Sequence, residues 1–262
     1  MKRKIKAVFI AFLIAVSLFA VSACGTATAE DDNLPTLVIG SDYYEPYNYI
    51  DNSGNPTGID VEIATEACRR LGYKADFRQI QWDNKEELLE NGEVDCLWGS
   101  FSINGREDDY KWAGPYMQSR QIIAVRAQRN IYSLSDLENM NVSAQYGSKP
   151  AEILSDGSLG FSVKNIYCFS SISEVFISMR NGYTDACAGH ETAITALMGD
   201  DSAEYRILDE PLLIADLGVA FSKEEKDFPV ESLSEVLDEM KKDGTIKNIV
   251  IKYGLDPEKV SG

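Results

Sequence analysis

The chain contains a single histidine, His190, and Glu191 follows it directly. An imidazole beside a carboxylate supplies the two groups of a proton-transfer pair. The same histidine could instead contact a ligand, join Cys187 and Glu191 around a metal ion, or lie in the hydrophobic core. No convincing further metal ligand accompanies these residues, so we expect no metal site and no cofactor. Choosing among the remaining roles requires knowing where this stretch lies in the fold.

Short apolar stretches alternate with amphipathic helical stretches from Leu34 onward. This alternation is typical of an α/β protein, whose parallel strands are connected by helices with right-handed crossovers. The helix signals include Gly72 and Gly244 just past two helix ends and Pro229 near one start. The predicted strands are 36–41, 74–80, 94–102, 142–147, 161–167 and 184–189, and the predicted helices are 59–72, 84–92, 148–155, 171–182 and 228–244.

Ligands of open α/β sheets bind beyond the carboxyl ends of the strands, where loops and helix N-termini converge. That rule selects four places in this chain: the residues after TLVIGS, after DCLWG, after VSAQ and after DACAG. His190 lies at the fourth of these places. We therefore expect the histidine near a ligand site.

The first 24 residues have the organisation of a bacterial export signal. A basic head, MKRKIK, precedes 17 residues without a charge, and the segment closes on Val21-Ser22-Ala23-Cys24, which resembles the lipobox of lipoproteins. We expect residues 1–23 to be a signal peptide, Cys24 to be lipidated, and residues 24–33 to be a flexible tether. The alternatives are a retained anchor helix or an ordinary signal with a chance cysteine.

The charge balance excludes some partners. The whole chain has a net charge of −17, and removal of residues 1–23 takes away four basic residues, which leaves −21. Such an acidic surface argues against nucleic acid or anionic lipid as a binding partner, because phosphate recognition needs basic patches.

Four cysteines remain after Cys24, and none of them forms a CxxC pair. In an exported protein they could oxidise, and Cys168 with Cys187 is the favoured pair because both fall near strand ends of one region. Four buried thiols are the alternative, and the sequence does not separate the two.

Several motifs in order resemble one protein family. Gly58-Ile59-Asp60-Val61-Glu62-Ile63, SDYYEPYNYIDNSGNPTG, NGEVDCLWGSFSINGRED with WAGPY, and SLSDLENMNVSAQYGS are similar to the extracellular solute-binding proteins of polar amino-acid importers. The resemblance runs from about residue 34 to residue 254. It implies a periplasmic-binding-protein-like (type II) fold with two lobes, two hinge strands and a central ligand cleft. Lobe one would comprise 34–118 plus 218–262, and lobe two 119–217.

The resemblance also implies a ligand site, and the residue chemistry is consistent with it. Arg106 offers a planar fork for a ligand carboxylate, and aromatic faces can sandwich a ligand side chain. Asp42 could select a cationic side chain and Lys149 an acidic one. Asp60 and Glu62 we assign to structure, as carboxylates in a first helical turn. The candidate ligand-binding residues are Asp42, Tyr44, Trp82, Ser100, Ser102, Arg106, Gly147, Ser148, Lys149, His190 and Glu191.

His190 is the main departure from the family pattern, which has an aspartate there that pairs with the ligand's α-ammonium. Three explanations are open. Glu191 or another acid takes the ammonium while neutral His190 accepts a hydrogen bond, which makes affinity pH-dependent. Alternatively, the ligand is a carboxylate without an amine. Finally, His190 and Glu191 are an acid–base pair, as an enzyme similar to cyclohexadienyl dehydratases would need.

The sequence as a whole predicts a binding protein rather than an enzyme. We expect a monomeric lipoprotein, anchored outside the cell membrane, that captures a polar amino acid. It would deliver the amino acid to the membrane permease and ATPase subunits of an ABC importer. A binding protein for another small carboxylate and a ligand-sensing lipoprotein are the alternatives.

Overall fold

The computed structural model describes residues 33–257. The predicted signal peptide, Cys24 and most of the predicted tether lie outside the described residues. Residues 35–257 belong to one compact unit. No helix within residues 33–257 is long and apolar enough to cross a membrane.

The described chain is α/β, as predicted, with eleven strands and seven α-helices in residues 33–257. The strands are β1 Thr36–Ser41, β2 Tyr49–Ile50, β3 Pro56–Thr57, β4 Lys74–Gln79, β5 Cys96–Ser102, β6 Lys111–Arg126, β7 Asn141–Gln145, β8 Asn165–Phe169, β9 Ala186–His190, β10 Tyr205–Ile207 and β11 Leu213–Phe221. The helices are α1 Ile59–Leu71, α2 Lys85–Glu90, α3 Lys149–Ser155, α4 Ile172–Arg180, α5 Glu191–Met198, α6 Val230–Lys242 and α7 Thr245–Lys252.

One mixed sheet carries most of the strands, in the order β4-β1-β5-β11-β6-β9-β7-β8, with β10 paired to β6. The outer strands are parallel to their neighbours: β1 pairs with β4 and β5, and β7 pairs with β8 and β9. In the middle, β6 and β11 pair antiparallel with each other and with the flanking strands. The predicted parallel strands are therefore found on the two sides of the sheet and not in the centre, because the strand–helix alternation gives no signal for β6 and β11.

The predicted lobe boundaries remain a prediction, and they fall within β6 and β11. Two smaller hydrophobic clusters each lie inside one predicted lobe. The first contains Trp82, Leu97 and Phe101, and the second contains Val142, Leu154 and Leu208. A larger cluster, which includes α1, α4 and α6, extends across both predicted lobes.

The amphipathic helix signals correspond to the packed faces. Helix α1 ends at Gly72, which has φ 74° and so adopts the left-handed conformation of a C-cap. Helix α6 buries Val230, Leu233, Leu237 and Met240, the four residues at helical spacing. The predicted strand at 161–167 is shifted, since β8 spans Asn165–Phe169.

The favoured disulfide does not form. Cys168 lies on β8 and Cys187 on β9, and both strands pair with β7, which separates them. Two strand spacings place their backbones about 10 Å apart, beyond the roughly 4.4–6.8 Å that a disulfide spans between Cα atoms. Cys68, Cys96, Cys168 and Cys187 are all free thiols, so the proposed pair was wrong.

Gly58 immediately precedes α1, at a point where two carbonyl groups approach the backbone closely. The amide of Ile59 donates to the Pro46 carbonyl at 3.0 Å, and that of Asp60 donates to the Tyr47 carbonyl at 2.9 Å. These bonds satisfy N–H groups that a helix start leaves unpaired. A Cβ at position 58, where φ is 129°, would overlap the Tyr47 carbonyl oxygen.

We predict that Gly58→Ala lowers the free energy of unfolding by at least about 2 kcal/mol more than Gly54→Ala. Gly54 also has positive φ, 85°, but has open space around it, so it controls for the conformational cost alone. Urea denaturation of the purified variants measures the difference. Equal losses of unfolding free energy in the two variants would mean that the Pro46 and Tyr47 carbonyl groups can move to make room for a Cβ at position 58.

Candidate ligand-binding site

The four strand ends selected from the sequence come together around one buried cavity. It is lined by Asp42 after β1, by Gly99–Ser102 at the end of β5, by Gly147–Pro150 after β7, and by Ala188–His190 at the end of β9. Ten of the eleven candidate residues line it, namely Asp42, Tyr44, Trp82, Ser100, Ser102, Arg106, Gly147, Ser148, Lys149 and His190. The cavity volume is about 30 Å³, room for a few water molecules, so its walls lie close together.

Asp42 is the only carboxylate among the described residues that line the cavity. Its side chain is 7% exposed, and Gln145 Nε2 donates to its Oδ2 at 2.6 Å. Burial raises the pKa of Asp42 to about 6, although the Gln145 hydrogen bond and the charge of Lys85 act in the opposite direction. The cavity wall therefore carries one negative charge at neutral pH.

Arg106 and Lys149 place two positive charges on the wall, and both form ion pairs with the same carboxylate, that of Glu152. The Arg106 guanidinium donates to Glu152 Oε2 at 3.0 Å, and Lys149 Nζ lies 2.5 Å from the other oxygen. Arg106 also lies over the Phe101 ring, 5.1 Å from its centroid. A guanidinium has five N–H donors, so Arg106 retains donors for a ligand anion.

Ser100 has φ 51°, in the left-handed region that residues other than glycine rarely adopt. Asp60 stabilises this conformation, since its Oδ2 accepts the Ser100 amide at 2.7 Å and its Oδ1 accepts the Tyr116 hydroxyl at 2.8 Å. Burial raises the pKa of Asp60 to about 7. Asp60 thus fixes the backbone at Ser100 from behind the cavity wall, which agrees with its structural assignment.

Aromatic rings form another part of the wall. Trp82 lies in a 3₁₀ turn, is buried, and packs edge-on against Phe101 with 5.1 Å between ring centroids. Tyr44 packs edge-on against His190 at 5.6 Å, and its hydroxyl accepts the His190 amide at 3.3 Å. Tyr47 is fully buried. Trp82 and Tyr44 leave ring surface on which an apolar ligand stem can pack.

Ser148 begins α3. Its hydroxyl accepts the amide of Ala151 at 3.4 Å, and Pro150 occupies the first turn, as expected from their capping preferences. Gly147, in the turn before it, has φ 63° and lies against the ammonium of Lys85.

His190 and Glu191 do not form a pair in the cavity. The His190 ring is 6% exposed and lines the cavity, whereas Glu191 lines a separate depression and its carboxylate accepts from Arg120 at 2.8 Å. Burial lowers the pKa of His190 to about 4, so the imidazole is neutral near pH 7. His190 therefore does not titrate near neutrality. It cannot cause the pH-dependent affinity that the first of the three explanations requires.

Several cavity residues were missed from the sequence. They include Gln145 at the end of β7, Gln121 on β6, Ile172 at the start of α4, and Gly189. Lys85 lies just behind the wall, only 3% exposed, with its ammonium 2.8 Å from Glu86 and 5.3 Å from the Trp82 ring centroid. Gln145 could have been found, because it precedes the Tyr146-Gly147 turn at a selected strand end.

We predict that the free energy of unfolding of Asp42→Asn, measured as its difference from the wild-type value, increases as pH rises from about 4 to 7. The folded pKa of Asp42 lies above its ordinary value, so the unfolded chain ionises first and wild-type stability falls across this window. The relative gain should approach about 2–3 kcal/mol above pH 6. Urea denaturation at pH 4, 5, 6 and 7 measures it.

Asp51→Asn is the sign control, because hydrogen bonds from the Asn55 and Ser53 amides lower the pKa of Asp51. That variant should lose stability relative to the wild type as pH rises. If the stability of both variants relative to the wild type changed in the same direction with rising pH, the raised pKa assigned to Asp42 would be contradicted.

Comparisons with known proteins agree on one family. The chain is 26% identical to the probable amino-acid-binding protein YxeM of Bacillus subtilis over 248 residues, which cover 92% of each protein. It is also 26% identical over 266 residues to the L-cystine-binding protein TcyA of the same organism, covering 95% of this chain and 97% of that one.

Solved structures give the same result. The crystal structure of Tv2483 bound to L-arginine has a TM-score of 0.76 and 27% identity, and covers 85% of this chain and 92% of that one. An ancestral arginine-binding protein bound to arginine has a TM-score of 0.75 and 26% identity, and the match covers 83% of this chain and 97% of that one. Residues 37–256 match the model of one family over most of the chain. The chain belongs to the bacterial extracellular solute-binding proteins, family 3.

Proposed function

We propose that this protein captures a polar amino acid outside the cytoplasm and delivers it to an ABC importer. The observation that carries the proposal is the placement of Asp42, Arg106 and two aromatic rings around one buried cavity. A free amino acid has a carboxylate, an ammonium and a side chain, and each charge needs a partner once water is removed. The relatives named as amino-acid-binding proteins support the same function.

Among polar amino acids, the charges favour a cationic side chain. Arg106 and Lys149 both pair with Glu152, whereas Asp42 has a hydrogen bond from Gln145 but no ion pair within residues 33–257, so we assign selection of the side chain to Asp42. Trp82 and Tyr44 offer ring faces to the aliphatic stem. The arginine-bound neighbours are consistent with this preference. Arg106 would bind the ligand carboxylate beside or in place of Glu152.

Binding rather than catalysis fits the positions of His190 and Glu191. The acid–base pair that an enzyme would need is divided between two separate depressions. A ligand of amino-acid size requires the cavity walls to separate, and ligand contacts with both walls would then stabilise the closed form. We propose that the protein acts as a monomer and that the closed form is recognised by the permease.

A thermal-shift screen against the common amino acids and matched carboxylates without an amine tests this function. A ligand at a hundred times its dissociation constant adds about 2.7 kcal/mol to stability. We expect the largest shifts with basic amino acids. Shifts with amine-free carboxylates alone would contradict amino-acid capture and favour the alternative ligand class.

We predict that Arg106→Ala weakens binding of the best-shifting amino acid at least about 100-fold, because a buried charge-assisted contact contributes about 2–3 kcal/mol or more. Arg120→Ala is the matched control, since Arg120 is half-buried and paired with Glu191 away from the cavity. Isothermal titration calorimetry gives both affinities. Near-wild-type binding by the Arg106 variant would exclude it as the carboxylate partner.

We further propose that Cys24 carries the lipid anchor, on the basis of the lipobox-like residues 21–24. Cys24→Ser should abolish incorporation of labelled fatty acid in a bacterial host and release the protein from the membrane fraction. Each buried methylene contributes about 0.8 kcal/mol to membrane binding. Cys168→Ser, at a half-buried thiol, should keep the label; loss of label from both variants would contradict the assignment.

A further inference from the structure

Gln121 occupies a central place in the site that the sequence did not reveal. It lies on β6, directly opposite His190 in the antiparallel pairing with β9. Its side chain is 1% exposed and lines the cavity. A side-chain amide in such a place carries both a donor group and an acceptor oxygen, and burial requires a partner for each.

His190 fixes the donor end of this amide. Gln121 Nε2 lies 2.8 Å from His190 Nε2, and Ser119 Oγ lies 2.8 Å from His190 Nδ1. Ser119 Oγ in turn lies 3.1 Å from the Tyr47 hydroxyl. With the Gln121 amide as the donor, His190 Nε2 accepts from it, although Gln121 Nε2 also lies 3.3 Å from Nδ1, and Nδ1–H donates to Ser119. Both ring nitrogens are then engaged, and the imidazole has no acceptor left for a ligand.

The acceptor end of the amide has no partner within residues 33–257. Gln121 Oε1 is buried and makes no hydrogen bond to the described chain. Buried carbonyl oxygens are rarely left unpaired, and an unpaired one needs an explanation. Because Gln121 lines the cavity, a ligand donor can supply the missing partner.

We propose that Gln121 Oε1 accepts a hydrogen bond from the α-ammonium of the bound amino acid. This proposal rests on the proposed function and deepens it. Asp42 and Arg106 account for a cationic side chain and for the carboxylate, so the ammonium is the remaining group that needs an acceptor. His190 acts as a positioning residue, which orients the amide and does not touch the ammonium.

The first test uses the fact that the chain has one histidine. The wild-type protein, labelled with ¹⁵N-histidine and purified without a histidine tag, gives one imidazole signal set by NMR. We expect the tautomer with a proton on Nδ1 and none on Nε2. A proton on Nε2 would reverse the amide, so that its NH₂ group faces the ligand, and would overturn the proposal.

The second test measures amine selectivity by calorimetry. The probes are L-arginine with 5-guanidinopentanoate, L-glutamine with 4-carbamoylbutanoate, and L-histidine with 3-(imidazol-4-yl)propanoate, each second compound lacking only the α-amine. For the pair that the wild type binds, Gln121→Leu should weaken the affinity for the amino acid at least about tenfold. The affinity for the amine-free compound should change by less than about threefold.

Gln118→Leu is the matched control, since Gln118 lies on the same strand, donates to Asp216 at 2.8 Å and does not line the cavity. It should leave the selectivity ratio unchanged. Gln121→Met serves as a second apolar replacement should the leucine variant fail to fold.

Equal weakening of both members of a pair by a Gln121 variant would overturn the assignment alone. Wild-type protein that binds no amino acid in the thermal-shift screen would instead overturn the proposed function, and the assignment with it.

Discussion

The arrangement of this site follows from one constraint: a charged group that burial removes from water must have a partner in the protein or in the ligand. Transfer of an isolated charge from water to a protein interior is very costly. Arg106 and Lys149 therefore share Glu152, and Lys85 is paired with Glu86. Among residues 33–257, the Gln145 amide is the one side chain that hydrogen-bonds the Asp42 carboxylate, and burial raises the pKa of Asp42 to about 6. The least compensated charge on the wall is thus the group best placed to select a ligand.

The sheet explains why these groups meet. The parallel strands β1 and β5 on one side, and β7 and β9 on the other, all end at the cavity. The long antiparallel pair β6 and β11 lies between the two sides, and contributes Gln121 from its middle. A ligand that contacts both sides would be held across this pair, so movement of the sides would open or close the cavity.

The sequence was sufficient for the strand ends and insufficient for the side-chain directions. Turn and helix signals located the four loops, and ten of the candidate residues line the cavity. Glu191 does not, because β9 ends at His190 and the chain turns into α5 at Glu191, whose carboxylate pairs with Arg120 away from the cavity. Gln121 was missed because β6 was not recognised, and a glutamine within a strand gives no signal of a site. Lys85 stands in a charged stretch, NKEELLENG, which gives no sign that tertiary packing buries this lysine.

The neutral histidine has a consequence for how the ligand is recognised. A carboxylate at position 190 would attract an ammonium strongly, but a second buried acid beside Asp42 would raise the pKa of both. The His190–Gln121 pair instead offers a dipole that keeps its protonation state throughout the neutral range, since burial lowers the His190 pKa to about 4. Asp42 is then the cavity-lining acid whose ionisation couples to binding. A cationic ligand favours its charged form, and by linkage the charged form favours the ligand.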